Sequence, residues 1–396
     1  MGKRLLAAAA GAAVALALAA SATAAGQILI AAPNGTGSAC TASAPCSLQT
    51  AVATAPAGGV VRALPGVYRG GVVITKQLDL AGSSSVLDAS TSGDGYGIEV
   101  VGPGGSGTTI EGWTVMNAQF AGILVGSHIA APDGTPLTSG SPISNVTINH
   151  VNVVNNDRGF SGVVGVGAGE CFTTPFAPGD CGEGIHLVSA TNSVVENSLV
   201  TQNAGGVLLS DEFGPVTGDV IDHVMALGNN DDCGITIASH TSNQIFGNLI
   251  ENNVASYNGV AGQGAGILLG GAAPGTGVHD NVIRNNSATG NGLSGITIHD
   301  HFPGNFNNNV ITNNRLGTNN VDGDFDFLTP DPQTTGILVA AGWPFPGPPP
   351  FAPITGTVIS DNTIVSNAVG IWTLHAPSVI TNNTFRDVGT PVVNNP

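Results

Sequence analysis

The stretch GLSGITIHDHFPGN, residues 292–305, sets His299, Asp300 and His301 side by side in a chain where only 9% of residues are charged. Imidazoles beside a carboxylate can move protons, bond to sugar hydroxyls or hold a metal ion. Side chains of an extended strand alternate between its two faces. With Ile296 and Ile298 facing a core, Thr297, His299 and His301 face away from it. GITIASH from Gly234 and GVLLSDE from Gly206 repeat that phase and turn Thr236, Ala238 and His240, and Leu208, Ser210 and Glu212, outward. If such strands stack in parallel, ~4.8 Å apart, one column runs Glu212, His240, Ala272, His301. Its neighbour runs Ser210, Ala238, Gly270, His299. The segment GGAA, residues 270–273, leaves a low floor between two walls.

The carboxyl groups that could work with these imidazoles are Glu212, Asp231, Asp232 and Asp300. Glycoside cleavage uses two carboxyls, ~5 Å apart for retention or ~6.5–9.5 Å for inversion. Glu212 with Asp232 fits adjacent coils, and Asp232 with Asp300 fits alternate coils. His240 and His301 would then shuttle protons or bond hydroxyls. Binding groups expected beside them are His299 and the aromatics Trp343, Phe345 and Phe351 of GWPFPGPPPFAP, because sugar rings stack on aromatic faces. A transition metal is the competing use of His299 and His301, with Glu212 or His240 completing the site. Asp322, Asp324 and Asp326 alternate in VDGDFDF and could present oxygens to Ca²⁺.

The elements that must position these residues recur along the chain. A glycine followed by alternating apolar residues appears at Gly184, Gly206, Gly234, Gly266, Gly295, Gly336 and Gly370, at intervals of 22 to 41 residues. Before each lies a second short strand rich in Asn, such as NSVVENSLVTQN, GNLIENNVASYN and NNNVITNNRLGTN. Short alternating strands with Gly and Asn turns at this spacing predict a solenoid of β-coils. Asn tolerates left-handed backbone at such turns, and aligning the coils predicts a row of Asn149, Asn197, Asp222, Asn252, Asn285, Asn313 and Asn362.

Composition narrows the function classes. The formal net charge is −17. The opening residues MGKRLLAAAAGAAVALALAASATAAG have a Lys3-Arg4 start, a short apolar run and small residues near Ala24, as a secretory signal peptide does. Its removal would leave a net charge of −19, which repels nucleic acid and anionic membranes and disfavours a polyanionic substrate. No run is long enough to span a bilayer. A 42% hydrophobic content with periodic Ile and Val implies a large core rather than disorder. Among five cysteines, Cys40 with Cys46 and Cys171 with Cys181 form plausible local bridges, leaving Cys233 as a buried thiol. The domain reading is a signal peptide over 1–25, an N-terminal cap over 26–60 and one β-helix domain over 61–396. Its expected state is an exported monomer without membrane insertion or nucleic-acid partner.

The Gly-led strands and Asn-rich turns resemble the right-handed parallel β-helix proteins of the pectate-lyase-like superfamily, over residues 60–390. The segment from Ile28 to Thr75 is similar to the N-terminal cap of that family, with a short helix from about Ser47. The resemblance implies an all-β, single-stranded right-handed solenoid with a cap helix. NNDDCGI resembles the QDDC segment of polygalacturonase-type hydrolases and places Asp231 and Asp232 on its acids, although the Gly-His-Gly and Arg-x-Lys elements of those enzymes are missing. Lyase and epimerase chemistry are less favoured, because basic residues are few. Pectin-type esterase chemistry is less favoured, because the Gln- and Arg-containing motifs that accompany its Asp strand are missing. The expectation is therefore a secreted protein that binds, and in its active form hydrolyses, a neutral or weakly charged polysaccharide in a lateral groove. The alternative implied by other members of the family is a non-catalytic, copper-handling-like metal binder.

Overall fold

In a computed structural model of the chain, the residues described are 27–156, 158–159, 163, 165–172, 183–262, 264–271, 273–322, 333–341 and 352–395. The signal-peptide segment thus lies outside the described residues, as do Trp343, Phe345, Phe351, Cys181, Ala272, Asp324 and Asp326.

The chain winds as a parallel β-helix. One wall is an eleven-stranded sheet whose strands follow one another in chain order, from Val72–Ile74 to Thr390–Asn395. Every registered pair in this wall is parallel. The sequence explains the register. Ile123, Ile185, Val207, Ile235, Ile267, Ile296, Ile337 and Ile371 form one inward column, fully buried in the continuous core. Slipping one coil by a single residue would turn its apolar set outward, so stacking fixes the alignment. The glycine opening each strand is required where coils approach closely. A Cβ on Gly206 would stand 2.1 Å from the carbonyl oxygen of Gly234, and one on Gly266 would stand 2.6 Å from that of Gly295. Neither position admits a side chain.

The other walls belong to a 21-stranded sheet. It contains two ladders, one through Thr147–Asn149, Val194–Glu196 and Val220–Asp222, the other through Asn152–Val154, Leu199–Thr201 and Met225–Leu227. They merge in the early coils, where Leu78–Asp88 and Thr109–Met116 run past the corner. At later corners one residue takes left-handed backbone: Asn197, His223, Asn252, Asn285, Asn313 and Asp361, with φ between 50° and 57°.

The expected Asn row holds in part: Asn197 donates to Asn149 and Asn252 to Asp222, and Asn362 belongs to a ladder. At Asn252, Asn285 and Asn313 the continuous ladder lies one residue after the corner. Asn253, Asn286, Asn314, Asn362 and Asn383 hand amide bonds from coil to coil. Two further buried ladders run beside it, Asn156–Asn203–Asn229–Asn258–Asn291–Asn319 and Asn248–Asn281–Asn309. Each buried amide satisfies backbone donors and acceptors that the turns would otherwise strand in the core, a cost of roughly 1–3 kcal/mol per group.

At the N-terminal end, the helix α1, Leu48–Thr54, begins at Ser47, whose side chain accepts from the amide of Thr50. Its buried Leu48, Ala51 and Val52 join the core beside the first strands. Cys40 and Cys46 form the expected disulfide. Cys171 is also disulfide-bonded. Cys233 is a buried free thiol.

Candidate functional site

The register places Ser210, Ala238, Gly270 and His299 in one column of the eleven-stranded sheet, as expected. Two residues beyond Ser210 and Ala238, at the downstream end of the strands, Glu212 and His240 meet: His240 Nδ1 lies 2.6 Å from Glu212 Oε1. Behind Glu212 a chain of polar contacts runs into the protein. Ser210 Oγ donates to Glu212 Oε2 at 2.6 Å, and His186 Nε2 lies 2.8 Å from Ser210 Oγ. Glu170 Oε2 lies 3.3 Å from His186 Nδ1, with both side chains fully buried. Burial pushes the Glu212 carboxyl up, but the charge and hydrogen bond of His240, the charge of His186 and the Ser210 hydroxyl outweigh it, bringing the pKa down to about 2. Glu212 is therefore a carboxylate that orients His240 rather than a general acid.

The neighbouring histidines form an edge-to-face pair, His299 and His301, with ring centroids 4.6 Å apart. Burial, followed by the charge of His301, drives His299 well below its usual range, and burial alone brings His301 down to about 4. Both are neutral imidazoles near neutral pH. His299 fits because position 270 is glycine; a Cβ there would lie 3.2 Å from its Nε2.

The other expected carboxyls stand elsewhere. Asp300 shares the inward phase of Ile296 and Ile298, pairs in register with Gly271 and is buried. Its phase turns it away from the face that carries Glu212 and His240. Asp231 and Asp232 precede the strand Ile235–Ser239, whose five residues alone separate them from His240 by ~13 Å. That exceeds the ~9.5 Å upper limit for two glycosidase carboxyls, so Asp232 pairs with neither Glu212 nor Asp300 in that role. The Asp232 carboxylate accepts from the amide of Cys233 at 2.6 Å. Burial raises both acids of this turn, with the Asp232 charge adding to the effect on Asp231. Burial and Asp232 also lift the Cys233 thiol far above its ordinary range, which removes the thiolate needed for reactivity.

Sequence reasoning passed over a second cluster on the same wall. Glu99 is the outward residue of GIEV, and His186 is the outward residue of GIHL; the register joins them through Leu124. His128 Nε2 lies 2.5 Å from Glu99 Oε2, and its ring stacks on Tyr96 with centroids 4.5 Å apart. The Asp94 carboxyl hydrogen-bonds to that of Glu99, which burial raises first and this neighbour raises further. Asp94 itself is lowered, since hydrogen bonds from Ser92, Glu99 and the Tyr96 amide outweigh its burial. Asp94, Tyr96, Gln119, Phe120 and His128 line a recess at this point. The signal was present in the sequence: an ionisable residue stands at the outward position where other coils carry Leu or Thr. His128 also follows Ile123 by the same count that separates Glu212 from Val207 and His240 from Ile235.

The outward face differs from the expected open groove. Leu124, His186, Leu208, Thr236, Thr297 and His299 are all buried, whereas Val73 is exposed and Ala238, Leu268 and Trp372 are partly so. The outer face of this sheet is therefore covered only in part. Tyr96, Phe120, Leu124, Cys171 and Val188 form a satellite apolar cluster on its outer side. Among the described residues, no group of three or more His, Cys, Asp or Glu is arranged to hold a metal ion.

No family model matches the sequence, and no curated protein matches it either. Solved structures match the fold. The A-module of mannuronan C-5 epimerase AlgE6 from Azotobacter vinelandii is 17% identical, covering 88% of this chain and 91% of its own, with a TM-score of 0.50. The Agl-KA catalytic domain is 13% identical, covering 87% of this chain and 58% of its own, at 0.53. The enzymatically active domain of tailspike protein 2 of bacteriophage CBA120 is 14% identical over 86% of this chain and 44% of its own, at 0.50. At such identities the likeness is one of architecture.

Proposed function

We propose that this chain, a right-handed parallel β-helix of pectate-lyase-like architecture, binds a polysaccharide along the eleven-stranded wall and processes it through the His240–Glu212 pair. The observation that carries this reading is the 2.6 Å contact between His240 Nδ1 and a Glu212 carboxylate held at a pKa of about 2. A carboxylate on one ring nitrogen fixes the tautomer and stabilises the imidazolium formed when the other nitrogen takes a proton. The His240 imidazolium gives its Nε2 proton to the glycosidic oxygen as that oxygen's bond to the anomeric carbon breaks. The neutral Nε2 then takes a proton from the water whose oxygen bonds to that carbon, which restores the imidazolium. The partly exposed, neutral His301 supplies a donor and an acceptor for hydroxyls without a charge that would attract an anion, with the buried His299 packed edge-to-face behind it. A net charge of −17 favours a neutral polymer over a polyanion. Two opposed carboxyls are not part of this proposal, because Asp232 and Asp300 stand away from Glu212.

The Cys40–Cys46 bridge and the signal-like opening support export to an oxidising compartment. Among the described residues no helix is long and apolar enough to cross a membrane.

The test is a panel of neutral polysaccharides (arabinoxylan, mannan, mixed-linkage glucan and starch), scored for retention and for new reducing ends. His240→Ala should abolish end release, by roughly 10²–10⁴-fold as expected for a lost acid–base group, while retention persists. A panel that shows neither retention nor release, or release unaffected in His240→Ala, would overturn the reading.

A further inference from the structure

Far from His240, the recess at the N-terminal coils combines features that no expectation above assigned. Its floor is apolar and aromatic: Tyr96 and Phe120 are buried and tilt together with ring centroids 5.1 Å apart. Its rim is polar, since Asp94 and Gln119 are exposed and His128 is 36% exposed at its side chain. Glu99 is 2% exposed and faces an adjoining recess that shares Asp94 and His128 with the first; its carboxyl oxygen Oε1 has no hydrogen-bond partner. A buried polar atom without a partner costs free energy that a ligand hydroxyl can recover.

Its position supplies the rest. Glu99 lies on the strand Ile98–Val101, and four coil steps along the same wall lead through Ile123–Gly126, Ile185–Val188 and Val207–Ser210 to Ile235–Ser239. At ~4.8 Å per step that is ~19 Å. His128 and His240 stand at the same count from the start of their strands, on the same downstream edge. A polymer laid along the solenoid axis would pass both.

We infer that the Asp94–Tyr96–His128 recess is a distal sugar subsite that holds an uncharged pyranose of the same polysaccharide chain whose reacting unit lies at His240. This inference rests on the polysaccharide reading above. The Asp94 carboxylate accepts from sugar hydroxyls, Gln119 adds an amide, and the His128–Tyr96 stack forms one side wall. Occupation of the two positions by one chain makes affinity depend on length: a fragment too short to bridge ~19 Å gains only one of them.

The experiment measures binding of the disaccharide and the hexasaccharide prepared from whichever polymer the wild-type protein retains in the panel. The wild type should bind the hexasaccharide much more tightly. Asp94→Asn with His128→Ala should weaken the hexasaccharide about tenfold and so narrow its advantage over the disaccharide, which never gains both positions. Gln119→Ala, at an exposed rim residue, should give a smaller loss in the same direction with an unchanged thermal midpoint. Hexasaccharide affinity untouched in all these variants, with His240→Ala still inactive, would overturn the subsite and leave the proposed function standing. If the wild-type protein retains no polymer, both readings fall.

Discussion

Two carboxylate–histidine pairs stand on one wall of this solenoid, three coils apart, and their chemistry differs. In the early coils Glu99 meets His128 at 2.5 Å; in the middle Glu212 meets His240 at 2.6 Å. Burial is the largest influence on both glutamates and pushes both upward. Around Glu212 that push is overcome by His240, by the charge of His186 and by the Ser210 hydroxyl, so the acid ends at about 2. Around Glu99 the His128 hydrogen bond is offset by Asp94, a like group, and the acid stays above its ordinary value. The pairs look alike as residue types. What separates them is the third neighbour, a cation and a hydroxyl in one case and a second carboxyl in the other.

The largest test of this contrast is to neutralise each glutamate in turn. Glu212→Gln removes the charge that His240 and His186 face, and breaking a buried ion pair from one side costs about 3–5 kcal/mol. Glu99→Gln is isosteric, and its amide can donate to Asp94 while its carbonyl accepts from His128. The thermal midpoint should therefore fall clearly for Glu212→Gln and hold or rise for Glu99→Gln. Equal falls would mean that the third neighbour decides nothing.

That contrast also marks where the sequence was legible. The stacking of Ser210, Ala238, Gly270 and His299 follows from Gly-led alternation, because a one-residue slip would expose a whole apolar set; the alignment and the Glu212–His240 contact were readable for that reason. The Asn row was readable at Asn149–Asn197, at Asp222–Asn252 and at Asn362. The continuous ladder was missed by one residue where corner and ladder are both Asn, as in Asn252-Asn253 and Asn285-Asn286, and only backbone geometry tells which amide turns inward. Asp300 was readable in principle, as its phase is that of Ile298. Asp231 and Asp232 were assigned by a local string, although the length of the following strand already puts them at the far end of the wall. Glu99, His128 and His186 escaped because an outward phase was equated with exposure. Covered outward positions are visible only once chain segments distant in sequence, such as that around Phe120 and Cys171, have folded over the sheet.

The acid limb of stability separates the sites next. Glu212 has a lowered folded pKa, so the stability it contributes is full above its unfolded value near 4.5 and is lost as pH falls from there toward about 2. His301 is lowered to about 4: the unfolded ring binds a proton below about 6.5 while the folded ring does not, and stability falls between those values. Each window spans on the order of 3 kcal/mol. His128 acts in the opposite sense. Its pKa is raised, chiefly by the Glu99 hydrogen bond, so its contribution is present at low pH and fades as pH rises through the folded value. Thermal midpoints followed from pH 7 downward should show an upper loss that His301→Asn removes and a lower loss that Glu212→Gln removes. A single loss abolished by neither substitution would break the assignment.

The smallest effect is the most direct probe of cause. Asp94→Asn takes away the like group beside Glu99 and puts an amide donor there instead. Burial still raises Glu99 and His128 still lowers it, so its apparent pKa should move down toward the ordinary carboxylate range without reaching that of Glu212, which has two histidines and a hydroxyl around it. Because Asp94 and Glu99 are coupled, the wild-type protein should show two macroscopic steps where the variant shows one. Carbon-detected NMR of labelled carboxyl groups resolves both, with the Glu212 signal serving as an internal standard that three coils of separation keep unperturbed. A Glu99 titration unmoved in Asp94→Asn would assign its raised pKa to burial alone, and the two pairs would then differ only in the cations around Glu212.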